Sequence, residues 1–188
     1  MSADLTGLTW REGEPADAAA IVRALDEWWE QRLEHCVRPQ LLEHFGDTTL
    51  IVERDGELVA FLVGWLSQRF PDAAYVHFMG VRHDHRRLGL GLELYRRFAA
   101  LARERGRTRL MAETGGFNRR SVAFHTSIGF TIEPGDDVVD GLAVHHDTGG
   151  IGGDYVVFAM DLREDSLLAA RASRSGAPLR RTGSASWR

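Results

Sequence analysis

The segment 81–91, Val-Arg-His-Asp-His-Arg-Arg-Leu-Gly-Leu-Gly, has the composition of an anion-binding loop. Two glycines separated by one residue allow the backbone to approach a bulky ligand, and the amides at the start of a following helix point toward it. The helix dipole favours a negative charge there by about 0.3–1 kcal/mol, and Arg86 and Arg87 add positive charge. A phosphate group is the expected ligand, although an ordinary strand-to-helix turn can also contain a lone Gly-x-Gly.

The hydrophobic pattern places this loop between a strand and a helix. Asp55 and Gly56 separate two apolar, β-branched runs, which is a strong signal for a β-hairpin. Strands are predicted at 48–53, 58–65, 75–81, 109–113, 130–132 and 155–162, with a Gly- and Asp-rich loop between the last two. Helices are predicted at 19–33, 40–45, 90–105 and 121–128, with Gly106 as the cap of the third and its arginines on the outer side. This order predicts an α/β protein with a mixed sheet.

Length and composition indicate one globular domain with a short tail. The chain has 188 residues, of which 44% are hydrophobic and 27% are charged. The segment 164–173 could form one helix, and the remaining Arg-, Ser- and Gly-rich residues are expected to be mobile. The longest apolar run, 58–66, is too short to span a membrane, the start has no signal-peptide pattern, and Cys36 is the only cysteine. These features predict a cytoplasmic protein without membrane partners.

The basic residues exclude several classes of site. All 23 are arginine, so a Walker phosphate loop, a Schiff base and a lysine general base are excluded. The His83-x-His85 and His145-His146 pairs have no third ligand at a recognised spacing, so no metal is expected.

Charge is distributed in blocks along the chain. Residues 82–120 carry 11 arginines and 4 acids, whereas residues 121–162 carry 7 acids and no arginine. This pattern indicates two ligands of opposite charge, although alternating solvated faces would give the same counts. The net charge of −4 argues against nucleic acid as a partner.

Two segments resemble one enzyme family. Arg86, Gly89 and Gly91 fit the Arg/Gln-x-x-Gly-x-Gly/Ala signature of the Gcn5-related N-acetyltransferases, and the run from Asn118 to Phe130 is similar to the family's second motif. The resemblance covers about residues 8–162. It implies a central, mostly antiparallel sheet with a splayed strand pair, flanked by helices, and an acetyl-CoA-dependent N-acetyltransferase domain at 1–162 followed by the tail at 163–188.

The resemblance also implies which residues bind the co-substrate. Backbone amides at Met79, Gly80 and Val81 would polarise the thioester carbonyl, and the loop amides would take the diphosphate. The full set implied for acetyl-CoA comprises Met79, Gly80, Val81, Arg86, Arg87, Leu88, Gly89, Leu90, Gly91, Asn118, Ser121 and Phe124.

Acetyl transfer needs an acceptor for the proton of the amine. Glu113 is the leading candidate because it ends a strand beside the splayed one, although it could instead be a solvated carboxylate paired with Arg119. His77 is the second candidate base, although a histidine at such a position is more often a hydrogen-bonded core residue. His125 stands where the family commonly has the tyrosine that protonates the departing thiolate, so it is the candidate acid. A thiolate with a pKa of roughly 8.5 leaves tolerably without help, so this acid should matter less than the base.

Acidic and aromatic residues predict a small cationic acceptor. In the family, the first helices and the segment before the last strand border the acceptor cleft, so the candidates here are Glu27, Trp28, Trp29, Glu30, Asp136, Asp137 and Asp154. An aminoglycoside or aminocyclitol antibiotic fits, with a faint similarity to the kasugamycin N-acetyltransferases. Other hypotheses are acetylation of a protein N-terminus or an amino-acid-like amine, and a non-catalytic acyl-CoA-binding regulator. One tryptophan could also contact a second copy in a homodimer.

Overall fold

The computed structural model describes residues 5–29, 37–148 and 152–163, which contain nine strands and four helices. The strands are β1 (Thr9–Glu12), β2 (Leu50–Arg54), β3 (Glu57–Leu66), β4 (Ala73–Val81), β5 (Arg109–Gly115), β6 (Thr131–Ile132), β7 (Asp137–Val139), β8 (Leu142–His146) and β9 (Asp154–Asp161). The helices are α1 (Ala18–Trp29), α2 (Pro39–Phe45), α3 (Leu90–Glu104) and α4 (Arg119–Ser127). This mostly antiparallel sheet flanked by helices confirms the predicted fold class.

The described residues divide into two compact units. Unit one comprises 5–29, 37–65 and 78–98, and unit two comprises 66–77, 99–148 and 152–163. Strand β4 and helix α3 contribute residues to both units. The strand order is β1-β2-β3-β4 in the first and β4-β5-β9-β8-β7 in the second, where β6 also pairs with β9.

Unit one is built around an aromatic and aliphatic core. Strands β1, β2 and β3 pair antiparallel, and Asp55 and Gly56 join the last two with positive φ angles of 54° and 81°, as the hairpin signal predicts. The residues that α1 presents at helical spacing pack against β3. Their core includes Ile21, Leu25, Trp28, Leu42, Ile51, Phe61 and Val63.

Unit two contains the parallel strand pair. The β4–β5 register runs from Ala73 opposite Arg109 to Val76 opposite Ala112, and β4 continues to Val81 beyond the last paired position. Strand β9 pairs antiparallel with the whole length of β5, from Gly115 opposite Tyr155 to Arg109 opposite Asp161. Consecutive side chains of β5 lie on opposite faces of this sheet, and alternate side chains share a face.

Helix α3 ends as the sequence indicates. Gly106 has a φ of 76°, and the amides of Gly106 and Arg107 donate to the carbonyls of Arg103 and Ala102. The glycine adopts this left-handed conformation without a Cβ clash, so the helix stops there.

One prediction about the fold is wrong, and one strand was missed. The segment predicted as a Gly- and Asp-rich loop contains a hairpin of β7 and β8, turned by Asp140 and Gly141 at φ angles of 50° and 77°. The signal was an Asp-Gly pair after Val138 and Val139, the same pattern as at residues 55–56. Strand β1 was not predicted either, because its four residues are too short to show a period.

Other expectations concern residues outside those described: Glu30, Cys36, the end of the predicted helix 19–33, and the helix predicted at 164–173. Among residues 5–29, 37–148 and 152–163, none of the helices has the length and hydrophobicity that crossing a bilayer requires.

Candidate active site

In unit one, the loop before α3 has the geometry of an anion cradle. Arg87 and Gly89 have positive φ angles of 62° and 83°, and α3 begins at Leu90. The first hydrogen bond of the helix runs from the amide of Glu93 to the carbonyl of Gly89, at 3.0 Å. The amides of Leu90, Gly91 and the next residue therefore have no acceptor within the helix. Left-handed residues followed by a helix N-terminus direct several amides toward one point, which suits a phosphate.

Side chains at the start of the loop hold its shape. A short 3₁₀ turn covers His83–His85, and the amide of Arg82 donates to the carbonyl of Val59 on β3. The Arg82 guanidinium contacts both oxygens of Asp84 at 2.9 and 3.1 Å, and His85 Nδ1 lies 2.7 Å from the same carboxylate. Hydrogen bonds from Arg82 and then His85 keep the pKa of Asp84 far below its usual value. The Asp84 carboxylate therefore binds side chains of the turn itself.

The Arg86 side chain contacts protein groups in this structure, and its role toward the co-substrate stays a prediction. Its Nε donates to the carbonyl of Val81 at 2.9 Å, and a terminal nitrogen donates to the carbonyl of Trp28 at 3.0 Å. Its guanidinium therefore links the end of β4 to the end of α1, and its hydrogen bonds go to protein carbonyls. Arg87 and Leu88 remain exposed beside the amides, Leu88 with 48% of its surface accessible.

The end of β4 is packed from one side. A Cβ on Gly80 would lie within 3.1 Å of both the Phe61 and Trp28 rings, so only glycine fits at this position. Met79 and Val81, on the other side of the strand, are half-buried. The role of these three residues toward a thioester carbonyl stays a prediction.

A buried ion pair lies one turn into α3, and sequence analysis missed it. The Arg97 Nε lies 3.1 Å from the Glu93 carboxylate, and the two side chains are only 9% and 2% exposed. The Arg97 guanidinium also stacks 4.0 Å above the Trp10 ring. Arg97 therefore does not lie on the outer side of α3, which corrects the expectation for this arginine. The signal was the Glu-x-x-x-Arg spacing.

In unit two, the two candidate bases share a face of the sheet. Tyr75 of β4 is paired with Met111 of β5, so His77 and Glu113 are the next residues on that same face. Glu113 was predicted to end its strand, but β5 continues to Gly115. Arg119 forms an ion pair with Asp140 at 3.3 Å, which is a different partner from the Glu113 pairing considered above.

The second motif forms the start of α4. The Asn118 side chain accepts a hydrogen bond from the amide of Ser121 at 3.1 Å, and the Asn118 amide donates to the carbonyl of Gly115. Asn118 is thus the N-cap that joins β5 to α4. Phe124 is half-buried, and its ring meets His125 edge-on at 5.5 Å between centroids.

His125 belongs to the core of unit two. Its ring stacks on Phe158 at 4.6 Å with an interplanar angle of 11° and meets Phe130 edge-on. Its Nδ1 lies 2.8 Å from the carbonyl of Ser121 and donates to it. Burial lowers the pKa of His125 to about 4, so the ring is neutral near pH 7 and its proton is on Nδ1. These surroundings do not favour the predicted role of His125 as a proton donor to a thiolate, and that role stays untested.

The predicted acceptor residues fall in both units and are described unit by unit. Asp136, Asp137 and Asp154 surround the histidines of β8: His146 lies 2.8 Å from Asp154 and 4.0 Å from Asp137, and His145 lies 3.7 Å from Asp136. The hydrogen bond that His146 Nδ1 donates to the Asp154 carboxylate is the main cause that raises the pKa of His146.

In unit one, Trp28 is a core residue stacked on Phe61 and Trp29 packs edge-on against Phe78, whereas Glu27 is exposed. The core position of Trp28 does not favour its predicted contact with an acceptor. Among the described ranges, no three His, Cys, Asp or Glu side chains lie close enough to hold a metal ion.

Known proteins resemble this chain in sequence pattern and fold. The sequence model of the Acetyltransferase (GNAT) family matches residues 14–130. Ard1 from Thermoplasma volcanium is 20% identical, with a TM-score of 0.68 over 83% of this chain and 98% of that one. The structure of yncA from Salmonella typhimurium with its cofactor acetyl-CoA is 22% identical, with a TM-score of 0.61 over 90% and 99%.

Diaminobutyrate acetyltransferase EctA from Paenibacillus lautus, in complex with L-2,4-diaminobutyric acid and coenzyme A, is 21% identical, with a TM-score of 0.62 over 84% and 96%. No curated protein sequence matches this chain significantly.

Proposed function

Because the chain belongs to the GNAT acetyltransferase family and is therefore an N-acetyltransferase, we propose that it transfers the acetyl group of acetyl-CoA directly to a primary amine of a small cationic acceptor. The observation that carries this proposal is the cradle of amides between Arg87 and Gly91. Its positive φ angles at Arg87 and Gly89 and the exposed start of α3 fit the diphosphate of a coenzyme A thioester. When bound, acetyl-CoA supplies an acetyl group activated as a thioester.

Glu113 is the side chain proposed to receive the proton of the amine. It is half-buried on β5, on the face that also carries His77, and its carboxylate can accept a proton directly or through one water molecule. The amine nitrogen forms the new C–N bond while the C–S bond breaks and the thiolate leaves. The thiolate takes its proton from solvent, since its ordinary pKa of roughly 8.5 makes it an adequate leaving group.

The acidic residues at the β7–β8 hairpin, Asp136 and Asp137, and Asp154 of the adjacent β9 support a cationic acceptor, and we call this group the acidic hairpin. Asp136, Asp137 and Asp154 lie within 4.0 Å of the two histidines of β8, and residues 121–162 contain seven acidic residues and no arginine. A surface of this kind attracts polycations and repels anions. An aminoglycoside or aminocyclitol is the finer hypothesis for the acceptor. EctA, whose structure contains a diamino acid, shows that one protein of this fold binds such a compound.

Thiol release from acetyl-CoA tests the proposal. The full chain is incubated with aminoglycosides, polyamines, amino acids and a peptide with a free N-terminus, and release is compared with a reaction lacking amine. Cationic amines should react fastest, and added salt should raise their KM because it screens the acidic hairpin. Reaction with only neutral or anionic amines would refute the cationic acceptor, and binding without thiol release would indicate a non-catalytic regulator.

Variants of Glu113 and His125 test the roles within the site. We expect Glu113→Gln to lower kcat by roughly 10²- to 10⁴-fold, since it removes the proton acceptor while keeping the side-chain shape. We expect His125→Phe to retain most of the activity, because the aromatic stack on Phe158 is kept. Loss of turnover in the His125 variant with full activity in the Glu113 variant would reverse these assignments.

A further inference from the structure

Phe117 is the most exposed of the large hydrophobic side chains in the described part of the chain. It lies between β5 and α4, and 76% of its surface is accessible, compared with 42% for Phe70. Most of the Phe117 ring is therefore available for contact with a ligand.

The ring of Phe117 lies on a defined face of the sheet. Its Cδ1 and Cζ atoms are 3.0 Å from the point that a Cβ on Gly115 would occupy. Side chains alternate along β5, so this point is on the face that carries Met111 and Glu113 rather than the face of Leu110 and Ala112. The ring therefore covers the space that Gly115 leaves empty.

Glu113 and an aromatic partner adjoin this position. Glu113 precedes Gly115 by two residues on the same face, a separation of roughly 7 Å along a strand. Tyr155 of β9 is directly opposite Gly115 in the antiparallel register, so its side chain is on this face as well. An accessible aromatic ring, a tyrosine and a carboxylate thus lie together at the end of β5, within unit two.

We propose that Phe117 is an acceptor-binding residue, whose ring holds a second ammonium group of the acceptor while the reacting amine lies at Glu113. This inference rests on the proposed function and specifies it. An ammonium ion over an aromatic face is attracted by the ring quadrupole, and this attraction does not require the reacting nitrogen to be charged. The acceptor class is therefore an amine with two nitrogen atoms separated by a short chain.

Steady-state kinetics with two matched amines tests the site. Putrescine carries a second ammonium group, whereas n-butylamine has the same carbon chain but no second ammonium group. Thiol release from acetyl-CoA is measured for the wild type, Phe117→Leu and Phe117→Tyr. We expect Phe117→Leu to raise the KM for putrescine roughly two- to fivefold, the size of an exposed cation–π contact, and to leave the KM for n-butylamine unchanged. Phe117→Tyr should retain the wild-type preference.

Two further variants separate ring position from general packing. Gly115→Ala forces the Phe117 ring away, because its Cβ would overlap the ring, and should reproduce the effect of Phe117→Leu. Phe70→Leu is the matched control, since it removes another exposed phenylalanine, one that contacts Arg69 and Arg109 instead. It should leave the ratio of the two KM values unchanged.

The outcomes distinguish this site from the proposed function. An equal rise in KM for both amines in Phe117→Leu, or no recovery in Phe117→Tyr, overturns the Phe117 site while acetyl transfer stands. A wild type that prefers n-butylamine, or acetylates neither amine, overturns the site too. The proposed function survives the last result if another cationic amine releases thiol, and it falls together with the site if none does.

Discussion

Two titratable side chains on opposite faces of the unit-two sheet have contrasting surroundings. His125 is 6% exposed and stacks on Phe158, which lies on one face of the sheet. Glu113 is half-buried and lies on the opposite face, where it is paired in register with Val157. The histidine is surrounded by aromatic rings and holds its only proton toward a carbonyl. The carboxylate is accessible to a substrate. Position on the sheet therefore separates a packing residue from a candidate catalytic one.

The buried ring of His125 predicts a pH dependence of stability. Its pKa is about 4 in the folded protein and 6.5 in an exposed histidine, so between these values the unfolded chain binds a proton that the folded chain does not. This stability is fully present above pH 6.5 and is lost as the pH falls toward 4. Between about pH 7 and pH 5 we expect a loss of about 2 kcal/mol in the free energy of unfolding.

Urea denaturation at the two pH values measures this loss. The His125→Phe variant should lose less stability than the wild type over the same interval, because its core ring does not titrate. An identical pH dependence in both proteins would show that His125 does not bind its proton on unfolding. His146 serves as a control. Asp154 raises the pKa of His146, so the contribution of this residue to stability has the opposite dependence on pH.

At the scale of elements, the loop before α3 depends on one left-handed glycine. Gly89 has a φ of 83°, which costs a residue with a Cβ roughly 1–2 kcal/mol, whereas Gly91 lies inside α3. We expect Gly89→Ala to raise the KM for acetyl-CoA about tenfold, because the amides that form the cradle shift. Gly91→Ala keeps the amide of residue 91 within the helix, so it should raise this KM less than Gly89→Ala does.

Isothermal titration of both variants with acetyl-CoA provides the measurement. Equal losses of affinity in the two variants would mean that the conformation of residue 89 does not shape the cradle. A loss confined to Gly91→Ala would place the ligand against the first turn of α3 instead.

The ion pair inside α3 predicts a large and non-additive effect on stability. Arg97→Met leaves the Glu93 carboxylate buried without its partner, which should cost about 3–5 kcal/mol. The double variant Glu93→Leu with Arg97→Met removes both charges and should recover most of that loss. Chemical denaturation measures both. Arg119→Met, which breaks an exposed pair with Asp140, is the control and should cost about 1 kcal/mol or less. Additive losses in the double variant would contradict the coupling.

At the scale of the whole molecule, charge is segregated along the chain. The arginine-rich block 82–120 includes the amide cradle, and the acidic block 121–162 includes the β7–β8 hairpin. Within the arginine-rich block, however, Arg82, Arg86 and Arg97 are engaged by Asp84, by backbone carbonyls and by Glu93. The net charge of a block is therefore a poor guide to the charge available to a ligand.

Ligand binding should be visible in the unfolding of the whole chain. At a concentration of acetyl-CoA about one hundred times its Kd, linkage adds roughly 2.7 kcal/mol to the free energy of unfolding, which raises the Tm of a chain of this size by roughly 5–10 °C. Differential scanning calorimetry with and without acetyl-CoA measures the shift. Gly89→Ala at the same ligand concentration should show a smaller shift, and no shift in the wild type would contradict the proposed co-substrate.

The features of this protein that depend on adjacent residues could be predicted from the amino-acid sequence. The Gly-x-Gly loop at the start of α3, the Asp55–Gly56 turn and the cap at Gly106 depend on adjacent residues and on φ angles that glycine and aspartate tolerate. The same local signal at Asp140–Gly141 was present and could have predicted the β7–β8 hairpin.

Which side chains are buried, and which partners they contact, depends on the folded chain. It brings the guanidinium of Arg86 to the carbonyl of Trp28, Arg97 onto Trp10, and His125 onto Phe158. These partners are distant in sequence, and the free energy of a charge or a proton depends on its solvation and its neighbours. The pattern of residue types carries no information about either until the chain has folded.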